Sequence, residues 1–265
     1  MAETLLSVKN VIKTFGGLTA VDGVTMGVPE GGFVGLVGPN GCGKTTLLCS
    51  IFGIHQVDSG NIIFNGEEVT GLQPHELFAR GVVHAFQFPR LFFKLSVLDN
   101  MIIAARHNSG DNYLKTIFQR GRWQKDEAVI TQRALEILDL LELSHLAFTP
   151  AGSLSGGQKK LLEIGRALLA EPKLLLLDEP AAGVNPVLGK KIFQRLDTFR
   201  ERGMSLLVIE HRLELLMAHA SQVYVMDRGK IVLDGRPEEI INNRKFYEVY
   251  IGEEDKPDGA NIYRN

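Results

Sequence analysis

Apolar and polar positions follow two rhythms along this chain. In the first third, β-rich runs at 5–12, 19–28 and 61–64 are bounded by glycines, which predicts strands joined by turns. Phe33–Val37 is a short apolar strand that ends in a glycine loop, 44–52 reads as a helix, and 81–85 is a further short strand. From 98 to 143 the pattern turns helical, with Ala134, Ile137, Leu138 and Leu141 at the i, i+3, i+4, i+7 spacing of one buried face. A helix over 161–169 is closed by Pro172, and strand and helix then alternate. The strands are 174–177, 206–209 and 223–226; Leu188, Ile192, Leu196 and Phe199 mark a helix that Gly203 can cap. Uninterrupted runs such as LLLL and LLVI are the pattern of strands covered on both faces, as in a parallel sheet. The expected fold is an α/β core with a helical insert in its middle. There is no internal repeat, and the polar stretch 253–265 is expected to be loose.

Composition narrows the setting. The 265 residues are 45% hydrophobic, enough for a sizeable core, and the formal net charge of −2 supplies no global basic field for nucleic acid or anionic lipid. No apolar run approaches the ~20 residues of a membrane helix, and the N-terminus lacks a secretion-signal pattern. The two cysteines, Cys42 and Cys49, form neither a ligand cluster nor a disulfide framework, as in a reducing cytosol.

The first chemical motif is GPNGCGKT, made of Gly38, Pro39, Asn40, Gly41, Cys42, Gly43, Lys44 and Thr45. It matches G-x-x-x-x-G-K-[ST] between an expected strand and an expected helix, the context that motif requires. Glycines let consecutive N–H groups turn toward one anion, and the helix adds its positive end. Lys44 is expected at the β- and γ-phosphates, Thr45 on Mg²⁺ and Thr46 at the α-phosphate. The position of Cys42 beside Lys44 and a helix N-terminus predicts a lowered thiol pKa, with alkylation or oxidation blocking nucleotide; a small residue that merely fits is the equal alternative.

The second is LLLLDEPAAGVNP. Its leucines carry a strand to its C-terminal end, where ligands bind in open α/β sheets. Asp178 is expected to hold Mg²⁺, and Glu179, pointing differently, to orient and deprotonate the attacking water. The third is LSGGQ: Leu154, Ser155, Gly156, Gly157 and Gln158, followed by the helix KKLLEIGRALL. It supplies a second helix N-terminus suited to phosphate.

With these three motifs in this order, the chain resembles the ATP-binding cassette ATPases, the nucleotide-binding subunits of ABC transporters, from about residue 5 to about 252. The resemblance implies a P-loop NTPase (RecA-like) core with an N-terminal antiparallel β subdomain and an inserted α-helical subdomain. It implies one domain over 1–252, with β subdomain and core at 1–88 and 166–252, the helical subdomain with its signature motif at 89–165, and a tail at 253–265. Two cassettes are implied to meet head to tail, the phosphate loop of one and the LSGGQ of the other enclosing each ATP. Phe15 matches the adenine-stacking aromatic, although its residue type fits a core position equally well. Gln87 matches the glutamine that senses Mg²⁺ and γ-phosphate, and His211 the histidine at the γ-phosphate. Gly183 and Asn185 fall on the dimer-interface loop, where Val184-Asn185 replaces the commoner Leu-Asp; Asn keeps an acceptor, gains a donor and loses the charge.

Leu91, Phe92 and Phe93 are implied to lie near the groove that receives a short permease helix. The region after residue 105, AGVNP, IEHRLELLM and VYIGE look most like importers of branched-chain amino acids and related polar amides. The implied cofactors are ATP and Mg²⁺. The implied partners are a second ATPase subunit, identical or different, two transmembrane permease subunits and, indirectly, a solute-binding protein. The implied place is the cytoplasmic face of the inner or plasma membrane. Lipid-exporting cassettes and non-transport ABC ATPases are the alternatives within the family, and a small-molecule kinase the alternative outside it. The basic stretch QRGRWQK is read as a solvated helix end, with RNA or lipid headgroups as the alternative.

Overall fold

The computed structural model describes residues 3–85, 90–105 and 120–251. Gln87, the side chains of the basic stretch 119–125 and the tail 253–265 lie outside the described residues.

The described chain builds two sheets. An antiparallel sheet contains β1 (Thr4–Phe15), β2 (Leu18–Pro29), β4 (Ser59–Phe64) and β5 (Glu67–Glu68) in the order β2-β1-β4-β5. The second sheet has the order β10-β9-β3-β8-β7-β6. Its strands are β3 (Phe33–Val37), β6 (Val82–Ala85), β7 (Leu174–Asp178), β8 (Ser205–Ile209), β9 (Gln222–Asp227) and β10 (Lys230–Gly235). The first five run parallel, and β10 returns antiparallel to β9.

The leucines of β7 show why this sheet is central. Leu174 and Leu176 pack with the antiparallel sheet and with α1 (Lys44–Ile51), through Leu47, Leu48, Val21 and Ile62. Leu175 and Leu177 pack the other way, with Phe193, Leu162 and Leu168. All four are essentially inaccessible. A period-2 strand with no polar position must bury both faces. Each buried leucine side chain contributes about 1.5–3 kcal/mol, and the polar residues at the ends, Lys173 and Asp178, fix the register, since a one-residue slip would carry one of them inward.

Three helices pack on one another, and the last of them also packs on the central sheet through Leu162 and Leu168. They are α3 (Val97–Ile103), α4 (Arg120–Leu140) and α5 (Gly156–Leu169). Ala134, Ile137, Leu138 and Leu141 are all buried in one cluster with Met101 and Leu162, as their spacing predicts. The α5 helix begins five residues before the 161 expected from sequence. Its two leading glycines are poor helix formers, but a capping box compensates. The Ser155 hydroxyl accepts from the Gln158 amide, and the Gln158 side-chain oxygen accepts from the Ser155 amide at 2.9 Å. The remaining helices are α2 (Pro74–Arg80), α6 (Pro186–Glu201), α7 (Leu213–His219), α8 (Pro237–Ile241) and α9 (Arg244–Ile251). No helix is long and apolar enough to cross a membrane among the described residues.

Strand register aligns three strand ends. Leu36 of β3 pairs with Ile209 of β8, and Ile209 pairs with Asp178 of β7. Residues just beyond this row, from three distant parts of the sequence, therefore share one edge of the sheet roughly 10 Å wide, two inter-strand spacings.

Candidate functional site

The loop after β3 is fixed by backbone crowding. Gly43 has φ of 108°, and a Cβ there would sit 2.1 Å from the carbonyl oxygen of Ala20. A Cβ on Gly38 would sit 2.0 Å from the Met226 carbonyl oxygen. The loop is thus pressed between β2 and β9, and neither position admits a side chain. Lys44, the first residue of α1, is buried; its Nζ donates to the carbonyls of Gly38 at 2.8 Å and Pro39 at 2.9 Å. Its ammonium is held inside the loop's curl.

Cys42 departs from expectation. Its thiol is buried, and burial raises its pKa above the ordinary value; the Lys44 charge beside it, with Sγ 3.8 Å from Nζ, only partly offsets this. Desolvation outweighs the cation, so the predicted activated thiol is not found.

Thr45 connects the loop to the acid pair. Its hydroxyl donates to Asp178 Oδ2 at 2.9 Å, while Oδ1 of Asp178 is buried with no hydrogen-bond partner. Asp178 is 4% exposed, and burial pushes its carboxyl above the ordinary value, with the hydrogen bond from Thr45 pulling back and the charge of Glu179 pushing further up. A buried acceptor without a partner beside a hydroxyl is a pair of hard oxygens, the donor chemistry that suits Mg²⁺. Among the described residues no cluster of three His, Cys, Asp or Glu side chains could hold a metal by itself.

Glu179 leaves the strand in the left-handed region, φ 51°, so that its side chain diverges from that of Asp178. Its Oε1 lies 2.9 Å from Nε2 of His211, the first residue beyond β8 and Glu210. The structure therefore brings Glu179 and His211 together, as it does Thr45 and Asp178. Phe15 stands at the end of β1, 44% exposed, edge-on to His55 with centroids 5.1 Å apart and with Lys13 Nζ 5.3 Å from its ring centroid. Of the two readings left open for Phe15, the core one is excluded. Thr46 follows in α1, and its carbonyl accepts from the Ser50 hydroxyl.

The signature residues sit at the N-terminus of α5. A Cβ on Gly156 would meet nothing within 4 Å, whereas one on Gly157 would lie 3.0 Å from Leu188. The LSGGQ turn is thus open on one side and packed on the other against the start of α6. Asn185 is the N-cap of α6: its Oδ1 accepts from the Leu188 amide at 2.8 Å, and Pro186 follows at the first helical position. Gly183, at φ 72°, turns the chain just before it.

Three residues that the sequence reading missed also belong here. Glu210 is buried and accepts backbone N–H groups from Ala181, His211 and Arg212. Lys160, buried on α5, has its pKa lowered by burial and held up by Asp178, Glu163, Glu179 and Glu210. Tyr250 of α9 accepts the Gly38 amide. The only sequence signal was an acid ending an apolar strand in LLVIEH and a charged residue on the apolar face of α5.

These features define a nucleotide-binding cassette. The ABC transporter family model matches residues 21–182, and the chain belongs to that family, the ATP-binding cassette ATPases. Its relatives point to one subgroup. The probable branched-chain amino acid transport ATP-binding protein LivG of Archaeoglobus fulgidus is 41% identical over 253 residues, covering 95% of this chain and 96% of the relative. The ADP conformation of MJ1267, an ATP-binding cassette of an ABC transporter, superposes with a TM-score of 0.81 at 38% identity, covering 94% of this chain and 99% of that one. MJ0796, a bacterial ABC transporter cassette solved as a dimer, superposes with a TM-score of 0.72 at 27% identity, covering 88% and 98%.

Proposed function

We propose that this protein hydrolyses ATP to ADP and phosphate as a motor subunit of an importer for branched-chain amino acids or related polar solutes. The observation that carries the reading is the single sheet edge holding two prepared pairs: Thr45 on Asp178, and His211 on Glu179. The relatives' names supply the substrate class.

The chemistry follows from the placement. Loop amides and Lys44 would take the β- and γ-phosphates in place of the carbonyls that Lys44 now holds. Phe15 offers an exposed ring for the adenine. Thr45 and Asp178 would hold Mg²⁺ together with Gln87; when bound, the ion neutralises charge on the phosphates. Glu179 takes a proton from water as the water oxygen bonds to the γ-phosphorus and the bond to the β-phosphate oxygen breaks. His211, within hydrogen-bond reach of Oε1, holds the carboxylate in one orientation. Ser155, Gly156, Gly157 and Gln158, with Leu154 packed beneath them, would meet the ATP of a second cassette, identical or different, with Gly183 and Asn185 at the seam. Two such contacts close together.

Coupling to two permease subunits, and through them to a solute-binding protein, would run through Phe92 and Phe93 on the helical subdomain expected over 89–165, at the cytoplasmic membrane face. Leu91 is buried, whereas both phenylalanines are exposed on a loop tied by Asn100, which is fully buried. Asn100 accepts the Phe92 amide and donates to the carbonyls of Phe92 and Ser96. Lys159 and Arg166, both on the signature helix, approach the rings of Phe93 and Phe92 at 5.6 and 5.9 Å. A push on either ring is thereby felt by α5.

The test uses the full chain. Phosphate release from ATP by the wild type, and an ATP-dependent dimer of Glu179→Gln on size exclusion, are the expected results. Transfer of label to a small acceptor would instead make it a kinase. Uptake of labelled leucine by vesicles holding the chain with its permeases tests the substrate class.

A further inference from the structure

We infer that Glu210 is a positioning residue for hydrolysis, joining the loop that carries Glu179 to the loop that carries His211; this rests on the hydrolase reading above. Glu210 is 2% exposed. Its Oε2 accepts the Ala181 amide at 3.0 Å, two residues after Glu179. Its Oε1 accepts the His211 amide at 2.9 Å and the Arg212 amide at 3.2 Å. Both segments thus hang from one carboxylate, on opposite oxygens.

The residue type is demanding. A buried carboxylate is costly unless it is well hydrogen-bonded and compensated. Threonine or asparagine would be cheaper in this position, but only a carboxylate offers acceptors on both oxygens and no donor. A glutamine would turn its NH₂ toward either the Ala181 amide or the pair from His211 and Arg212. Lys160 is buried on α5, and the charges of Asp178, Glu163, Glu179 and Glu210 hold its pKa up against that burial. The Glu179 amide is separately fixed, donating to the Ile209 carbonyl at 2.9 Å. With that end anchored, the Glu210 links set the distance between the two loops, and so the 2.9 Å contact of Glu179 Oε1 with His211 Nε2. Glu210 does not itself touch the reacting atoms in this scheme.

The experiment compares wild type, Glu210→Gln and Glu210→Asp in ATPase kinetics, nucleotide binding and amide hydrogen exchange. For Glu210→Gln, kcat is expected to fall roughly 10- to 100-fold with KM and ATP affinity within about twofold, the pattern of a lost transition-state arrangement. Glu210→Asp should recover part of the loss. In a His211→Ala background the same Glu210→Gln change should cost less than about threefold, because the pair it aligns is already broken. Exchange should quicken at 179–182 and 210–212 and stay unchanged elsewhere. Wild-type kcat in Glu210→Gln, or faster exchange throughout the core with a parallel loss of ATP binding, would overturn the inference. A wild-type chain that binds ATP and releases no phosphate would sink the hydrolase reading instead. Local exchange in Glu210→Gln would then still decide whether Glu210 joins the two loops.

Discussion

The amide of Gly38, the first residue of the phosphate loop, donates to the hydroxyl of Tyr250 at 2.9 Å across 212 residues of sequence. Burial pushes the Tyr250 phenol up to about 12, so it stays protonated at any physiological pH. The C-terminal helix α9 therefore props the loop from behind. Tyr250→Phe keeps the ring and leaves the Gly38 N–H without its acceptor, at a cost of about 1–3 kcal/mol. The expected outcome is a lower urea midpoint together with a several-fold weaker ATP affinity, read by denaturation and nucleotide titration on the same preparation.

Thr45→Val removes the hydroxyl that accompanies Asp178 while keeping the shape of the side chain. ATP binding should then lose its dependence on Mg²⁺, with affinities in Mg²⁺ and in EDTA converging and hydrolysis falling roughly 100-fold or more. Calorimetric titrations with and without the metal check this. A retained Mg²⁺ enhancement would place the ion elsewhere.

His84 gives the fold an acid limit. It lies buried on β6 against Phe52, and burial, reinforced by the charge of Arg90, lowers its pKa from 6.5 to about 4. Between those values the unfolded chain binds a proton that the folded chain refuses, so stability rises with pH through the window and falls as pH drops. From pH 7 to pH 5 the loss assigned to His84 is about 2 kcal/mol. Denaturant melts across this range should show it, and His84→Gln should flatten the dependence.

Asn185→Ala should cost about 1 kcal/mol, the value of an N-cap, by thermal denaturation of the monomer. Asn185→Asp should cost nothing, because a carboxylate caps equally well and favours the positive end of α6. The departure from the commoner aspartate is thus tolerated locally, whatever it does between subunits.

Much of this was legible in advance because it depends on short spacings. The strand-loop-helix at GPNGCGKT and the two-faced burial of LLLL both follow from neighbours in sequence. LSGGQ was legible as a helix start, yet its boundary at Gly156 was missed, since the capping box overrides the low propensity of glycine. Helices α2, α7, α8 and α9 are short or half-exposed, and their periodicity is too brief to stand out. The reactive thiol expected at Cys42 failed for a reason that sequence does not show: the weight of its burial.

What the sequence determined by itself is the set of local devices. It places a loop that can fold only around glycine, an acid pair at a strand end, and a capped helix start. Chain neighbours and backbone geometry suffice for each. What only the tertiary structure decided is which devices share an edge. Asp178 meets Thr45, Glu179 meets His211, Glu210 ties their loops, and Tyr250 reaches Gly38, because the parallel order β3-β8-β7 brings strand ends from distant sequence side by side. Burying both faces of the central strands is a condition on the whole chain that no single segment carries.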